Sequence, residues 1–333
     1  MTKQKNKTLL YTIIVSLIVT WLSVEGWSFY RFLTSNISSV KTEQIVYIPT
    51  GSSSQKVIDL LVEKRLIREP LWFKLLLKYE GKSNKIKAGE IKVDPTWTAH
   101  QLIDALVAGK TVSYPITFIA GETFKQSFQK ITAVNNLKQD LLSVEEVKTA
   151  LNIKSHTEGM LLAETYFYSK GESVKSILMR SHHDLINLLE REWKARAKNL
   201  PLKSSYEALI LASIVEKETG VAEERAKIAG VFINRLNIGM RLQTDPTVIY
   251  GMGDKYDGNI RKRDLLAYTP YNTYKINGLP PTPISLASAE SIKAVMHPEK
   301  TKALYFVASG RGGHTFSNTL RQHNKAVRDY LRR

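Results

Sequence analysis

The alternation of apolar and polar positions divides the chain into a long uncharged run, a strand-and-helix stretch and a mostly helical remainder. Thr8 to Val24 carries no charge, and with Trp27 and Tyr30 it approaches the ~20 residues that span a bilayer. Thr34 to Glu43 is polar and Ser-rich. A strand–turn–helix pattern then recurs. Ile45–Pro49 predicts a strand, Thr50–Ser54 a turn and Gln55–Lys64 a helix. Glu90–Val93, Asp94–Thr98 and Ala99–Ala108 repeat the pattern, and Ile116–Ile119, Gly121–Thr123 and a helix from Phe124 repeat it again. With a further helix over Pro70–Tyr79, these units predict a small mixed α/β module. They are too dissimilar to form a solenoid.

Residues 135–200 read as helical and polar, interrupted over Ser155–Tyr168 by an aromatic-rich loop or edge, with a long amphipathic helix over Ser173–Ala197. The next stretch organises the rest. Ser204 and Glu207 have the spacing of a capping box, and Gly220 reads as a stop, which frames a helix of about four turns. Ala222–Leu236 predicts a second helix, with Glu223 and Glu224 where the helix dipole favours them. Asp245-Pro246 reads as a turn, and Gly251–Lys262 as loop. Thr269–Pro283 holds four of the chain's 11 prolines and is irregular. A helix over Ala287–Met296, a buried strand over Ala303–Ala308, a turn at Gly310–Gly313 and a helix over Leu320–Leu331 complete an α+β chain.

A length of 333 residues suits about two domains. The absence of Cys excludes disulfides, thiol catalysis and Cys-bound zinc. A net charge of +17 favours an anionic partner. The charge is spread along the chain without aromatic interleaving or a nucleic-acid motif, so nucleic acid is not expected. Lys3, Lys5 and Lys7 ahead of the uncharged run place the N-terminus in the cytoplasm. Residues 1–50 contain no Ala for a small-residue cleavage site, so the run reads as an uncleaved anchor. The expected organisation is a cytoplasmic N-terminus (1–8), a transmembrane helix (9–30), a linker (31–44), the small α/β module (45–112) and a larger mixed α/β domain (113–333). The last two lie outside the inner, cytoplasmic membrane, in the periplasm or beyond.

No metal spacing is present: His182 and His183 share a charged helix face, and His314 and His323 fall on different elements. Gly310–Gly313 lacks the Lys-Ser/Thr of a phosphate loop, and no activated-serine motif occurs, so no metal or cofactor is expected. On a helical wheel, Ala208, Leu211, Ala212, Ile214 and Val215 form an apolar arc that contains Glu218. Ser213, Glu216 and Lys217 fall opposite. A carboxyl aimed into a core keeps its proton to higher pH and can serve as a general acid. Alternatively, Glu218 closes a helix and meets a Lys or Arg. Gln243, Asp245, Tyr250, Tyr271, Asn272, Thr273, Tyr274, His314 and Phe316 supply the rings and polar tips of a carbohydrate groove. About half of the tyrosines are expected to be packing residues. Asp245 is either a second catalytic carboxylate or a turn device before Pro246.

Ala212–Thr219 (ASIVEKET), Val231–Leu236 (VFINRL), Gly239–Gly251 (GMRLQTDPTVIYG), Tyr271–Tyr274 (YNTY), Gly278–Pro281 (GLPP) and Gly313–Phe316 (GHTF) resemble the YceG-like family of endolytic murein transglycosylases. The resemblance covers nearly the whole chain. It implies that residues 45–112 are LysM-like and glycan-binding, and that residues 113–333 are catalytic. It implies a lyase that cleaves the MurNAc–GlcNAc bond within nascent peptidoglycan strands, leaves 1,6-anhydro-MurNAc ends and terminates elongation. It also implies work alongside peptidoglycan synthases, the penicillin-binding proteins. The family's catalytic Glu matches Glu218, the residue the wheel singles out. Gln243, Asp245 and Asn272 would hold the sugar. One loop departs: the family's E-G-x-x-x-P-D-T-Y is Glu158–Tyr166 (EGMLLAETY), with Ala163 for Pro and Glu164 for Asp. A hydrolytic muramidase with Asp245 as base, and a non-catalytic tethered glycan-binding scaffold, are the alternatives.

Overall fold

The computed structural model describes residues 2–109 and 111–332. Met1, Lys110 and Arg333 lie outside the described residues, as do the side chains of residues 2–8, including the three lysines expected to orient the anchor. Two compact units result: the chain up to Tyr114 together with Ser169–Gly171, and Pro115–Tyr168 together with the chain from Glu172.

The first unit begins with α1 (Thr2–Thr34), long and apolar enough from Leu9 onward to cross a membrane by length and composition. Its side chains from Leu9 to Val24 are exposed. Its last turns are not: Phe32 is buried, and the Phe29 ring lies 4.9 Å from Trp72. The segment expected as a linker is therefore packed. Ile37 is buried too, and its N–H donates to the Trp97 carbonyl at 3.0 Å. β1 (Gln44–Ile48), α2 (Ser54–Glu63), α3 (Pro70–Tyr79), β2 (Gly89–Val93) and α4 (Ala99–Ala108) follow. β1 and β2 pair antiparallel with Val46 opposite Ile91, and these side chains join those of the three helices in one closed core.

The second unit contains β3 (Tyr114–Thr117), α5 (Phe124–Thr132), α6 (Val144–Ala150), β4 (Thr165–Tyr168), α7 (Val174–Ala195), α8 (Ser205–Glu218), α9 (Arg225–Asn237), α10 (Asp245–Met252), α11 (Lys262–Leu266), α12 (Ala289–Met296), β5 (Tyr305–Ala308), β6 (His314–Ser317) and α13 (Leu320–Leu331). β3 pairs with β4, so the third strand–turn–helix repeat does not extend the small module. β5 and β6 form an antiparallel hairpin with Ala308 opposite His314, and the glycine-rich 310–313 stretch is its turn. β5 is half-buried or exposed rather than buried, because a lone hairpin has no second sheet to cover it.

α8 sits at the centre, with α7, α9 and α12 against it. Every residue from Ala208 to Val215 is buried, so the wheel's apolar and polar sides do not correspond to core and solvent. Ser213 is satisfied inside: its hydroxyl donates to Ile210 O at 2.7 Å and accepts from Ile284 N at 3.0 Å. Half of the expected capping box forms. Ser204 accepts from Glu207 N at 3.2 Å, but the Glu207 carboxylate reaches Lys203 N at 2.6 Å. The helix ends at Thr219 in extended backbone (φ −145°), not at a left-handed Gly220. The turn expected at Asp245-Pro246 is instead the start of α10, since Asp-Pro opens both structures: Asp245 occupies the first helical turn with Pro246 beside it.

Close packing of α9 gives the first test. A Cβ on Gly230 would lie 2.5 Å from the Glu299 carbonyl oxygen and 3.0 Å from Thr301 Cγ2. Gly230→Ala should destabilise the protein by about 1–3 kcal/mol through overpacking. Gly220→Ala, with nothing within 4 Å, should leave the thermal midpoint nearly unchanged in the same circular-dichroism melts.

Candidate active site

Glu218 is the last residue of α8 and is half-buried. Burial pushes its carboxyl above the usual carboxylate range. A hydrogen bond from the Thr244 hydroxyl opposes that shift, the negative Asp245 adds to it, and His314 and Arg235 pull against it. Glu216, two residues earlier, is also shielded, with a side chain 6% exposed, so burial alone does not separate the two acids. Partners do. Glu216 accepts from the backbone N–H of Ser288 at 2.9 Å and from the Ser288 hydroxyl, and it lies 3.7 Å from Arg225. It clamps the start of α12. Glu218 has one hydroxyl donor and no ion-pair partner within 4.0 Å among the described residues.

Thr244 is placed by a threonine cluster. Its N–H donates to Thr273 Oγ1 at 3.0 Å, its carbonyl accepts from Thr247 Oγ1 at 2.8 Å, and the Thr247 and Thr273 hydroxyls are 2.8 Å apart. Gln243, just before it, takes a left-handed conformation (φ +50°) and donates its N–H to the Thr273 carbonyl at 3.2 Å. Next along the chain, exposed Asp245 accepts from the Tyr274 hydroxyl at 2.7 Å. Burial and this bond to a carboxylate raise the Tyr274 hydroxyl's pKa.

The two basic side chains near Glu218 are engaged elsewhere. Arg235 is buried and donates to the carbonyls of Leu304 at 2.7 Å and Leu242 at 2.5 Å. His314 Nδ1 and the His314 N–H each lie 2.7 Å from the Glu224 carboxylate. Burial works to raise Glu224, yet the bonds from His314 outweigh it and hold the carboxyl below its ordinary value. Gly313 makes that contact possible: its φ is +77°, and a Cβ there would meet Glu224 Oε1 at 2.4 Å.

The structure thus gathers Glu218, Thr244, Asp245, Tyr274, Arg235 and His314 around one point. Of the other expected ligands, Gln243 adjoins Thr244 and Thr273 is buried in the cluster that holds it. Asn272 is buried and donates its side-chain amide to the carbonyls of Asp264, Leu265 and Ala267, which shapes the loop. Phe316 packs on Phe306, with Lys227 Nζ 4.8 Å from its ring centre. Tyr250 and Tyr271 meet edge to face at 4.9 Å beside a ~220 Å³ cavity that also takes in Glu158 and Thr282. Tyr250 donates to Glu158 at 3.2 Å. Glu158 also accepts the N–H groups of Phe124 at 2.9 Å and Gly159 at 3.2 Å. Burial still raises its pKa. Thr244, Arg235 and Glu158 lie within the family motifs and Glu224 at the start of an expected helix, but no sequence pattern marks their parts in this site. Exposed Glu164 accepts the N–H of Thr165 on its carboxylate at 2.9 Å and that of Phe118 on its carbonyl at 3.0 Å.

The chain belongs to the YceG-like family, whose profile matches residues 46–329. An endolytic murein transglycosylase of Bacillus subtilis (strain 168) is 33% identical over 311 residues, covering 87% of this chain and 86% of that protein. An endolytic murein transglycosylase of Streptococcus pneumoniae (strain D39) is 27% identical over 93% of this chain, which spans 63% of the pneumococcal protein. A crystal structure of a YceG-like protein from Listeria monocytogenes is 31% identical, with a TM-score of 0.53 over 86% of this chain and 99% of that one.

The Thr244 bond is directly testable. Its donation favours the ionised carboxylate. Thr244→Val removes the donor while keeping the shape, and should move the Glu218 pKa further up. Carboxyl-¹³C NMR titration of the variant against the parent reads the shift.

Proposed function

We propose that this chain is a membrane-anchored endolytic peptidoglycan lytic transglycosylase that cleaves the MurNAc–GlcNAc bond within nascent strands and so ends their elongation. Residues 9–30 would be the anchor, with the N-terminus in the cytoplasm. Residues 45–112 would be a LysM-like glycan-binding module, and residues 113–333 the catalytic domain, working beside the synthases. Support comes from the family, from relatives bearing the endolytic murein transglycosylase name, and from the apolar α1.

The single observation that carries the reading is Glu218: a carboxyl pushed toward its protonated form by burial, at a helix end, beside a second carboxylate and without an ion-pair partner among the described residues. In this mechanism Glu218 gives its proton to the glycosidic oxygen as the C1–O4 bond breaks through an oxocarbenium-like state. The resulting carboxylate takes the proton of the same sugar's C6 hydroxyl. O6 then bonds C1, which closes the 1,6-anhydro ring and leaves Glu218 protonated again. Thr244, whose hydroxyl stabilises the ionised form, holds the carboxylate between the two steps. Asp245, steadied by Tyr274, is the group placed to offset positive charge developing at C1.

Asp245 also favours a second reading. A carboxylate near the acid is what a hydrolase needs to activate water. Products discriminate: anhydro ends for lytic cleavage, reducing ends for hydrolysis.

Purified sacculi digested with the protein and analysed by mass spectrometry should yield anhydro-muropeptides. Glu218→Gln should abolish them with the melting curve intact, whereas Glu216→Gln should retain them with a lowered melting point. Loss of product only in the Glu216 variant would transfer the acid to that residue. The pH dependence has a definite sign. Because the Glu218 pKa is raised, its acid form persists above the ordinary carboxylate range and is lost as pH climbs through the raised value. Turnover should therefore fall on the alkaline side, and Thr244→Val should displace that fall to higher pH.

A further inference from the structure

The outer face of α3 carries an apolar stripe that the first unit's own core does not use. Phe73, Leu76 and Leu77 point into the core. Leu71 is 66% exposed, Leu75 46% and Tyr79 90%. These three residues are four apart, so they lie on one line along the helix. At roughly 100° per residue, Trp72 flanks the stripe on one side and Lys74 and Lys78 on the other. Trp72 packs against Phe29 of α1. No Asp or Glu occurs within α3.

The contact with α1 indicates what covers this face. Phe29 comes two residues after Trp27, about 3 Å along the axis at ~1.5 Å per residue. Trp27 and Tyr30 are exposed and stacked at 5.9 Å, the kind of aromatic pair that sits at a membrane–water boundary. If α1 crosses a bilayer, Trp72 is therefore held at the level of the lipid headgroups, a zone roughly 5–7 Å deep on each side. The exposed apolar line of Leu71, Leu75 and Tyr79 runs beside Trp72 on the same helix, and the lysine row along its other edge is where lipid phosphates would lie.

We propose that α3 rests on the surface of the bilayer that holds α1, with Leu71, Leu75 and Tyr79 in the interfacial zone and Lys74 and Lys78 against anionic headgroups. This proposal depends on the anchoring reading of α1. It makes the first unit a foot on the membrane rather than a body swinging on a flexible tether, in keeping with the packed 31–44 segment. Its occupant is a lipid surface, not a protein.

The chain contains no cysteine, which permits single nitroxide labels without background. Full-length Leu71→Cys, Leu75→Cys, Tyr79→Cys, Leu17→Cys and Asp59→Cys would each be labelled and reconstituted in phosphatidylglycerol–phosphatidylcholine vesicles. Electron paramagnetic resonance then compares accessibility to oxygen, which concentrates in lipid, with accessibility to a polar nickel chelate. The expected result is an oxygen-to-nickel ratio severalfold higher at positions 71, 75 and 79 than at exposed Asp59 on α2, with Leu17 higher still. Ratios at the three α3 sites equal to that of position 59, while position 17 reports hydrocarbon, would overturn the proposal and leave the anchor standing. An aqueous signal at position 17 would remove the anchor and the proposal with it. Spin–spin broadening that persists in detergent would assign the face to a second copy of the chain, and so also overturn it.

Discussion

A helix enclosed along most of its length has little solvent face on which to leave its polar groups. α8 is such a helix, buried at every residue from Ala208 to Val215, and it carries Ser213, Glu216 and Glu218 within its last two turns. An unpaired buried polar group costs free energy comparable to a lost hydrogen bond, and a buried charge costs more. Each of the three must therefore be met by a particular partner from a distant part of the chain. Ser213 is met by Ile284 and Ser285, Glu216 by Ser288 and Arg225, and Glu218 by Thr244. Those demands recruit the proline-rich stretch and the Gln243–Asp245 loop to the centre of the domain. Residues 269–288 lack regular structure up to the start of α12, yet several of them are among the most buried in the chain, because their backbone and hydroxyl groups complete α8.

The same constraint explains what was legible in the sequence. Helices with one wet face show their period and their caps. α3, α4 and α13 occur over the residues expected, and α4 and α13 carry capping boxes at Thr98 and Thr319. α8 lies where its cap and stop place it, but its wheel misleads, since every residue from Ala208 to Val215 is buried and Glu216 is as enclosed as Glu218. Pattern alone could place an acid at a helix end; it could not show that Ser288 and Arg225 engage the first acid and leave the second. Thr244 sits in a quoted motif, yet its role depends on a hydroxyl meeting Glu218 26 residues away in sequence. The Asn272–Thr273 pair shows a second limit of pattern: amides and hydroxyls in a loop resemble sugar ligands, and the sequence does not show that the Asn272 amide meets the carbonyls of Asp264, Leu265 and Ala267 or that the Thr273 hydroxyl meets Thr244 and Thr247.

Glu158 extends this logic to the departed loop. Its carboxylate joins the N-terminus of α5 through Phe124, the turn at Gly159 and the hydroxyl of Tyr250 on α10. A Cβ at Gly159 would meet Pro283 Cβ at 2.5 Å, so this turn packs directly on the proline-rich stretch. The exchange of Pro for Ala163 and Asp for Glu164 falls after this clamp, at residues whose side chains are half-buried and exposed. The loop can vary there while the part that holds α10, and with it Asp245, is retained.

The Glu218 carboxyl is held above its ordinary pKa although two basic side chains stand close enough to lower it, and a full ion pair with either would stabilise the carboxylate and work against the acid role proposed for it. Both are prevented. The Arg235 guanidinium is fixed on two backbone carbonyls, and His314 is held on Glu224 by both its ring and its N–H. They act on Glu218 through space, attenuated by distance, while Asp245 and the negative end of the α8 dipole act in the opposite sense. A group that must first release a proton and then recover one works best when neither form is strongly favoured. Around Glu218 the neighbouring charged and basic groups already have partners of their own, so in the proposed mechanism the residues that tune the acid include several that need never touch the sugar.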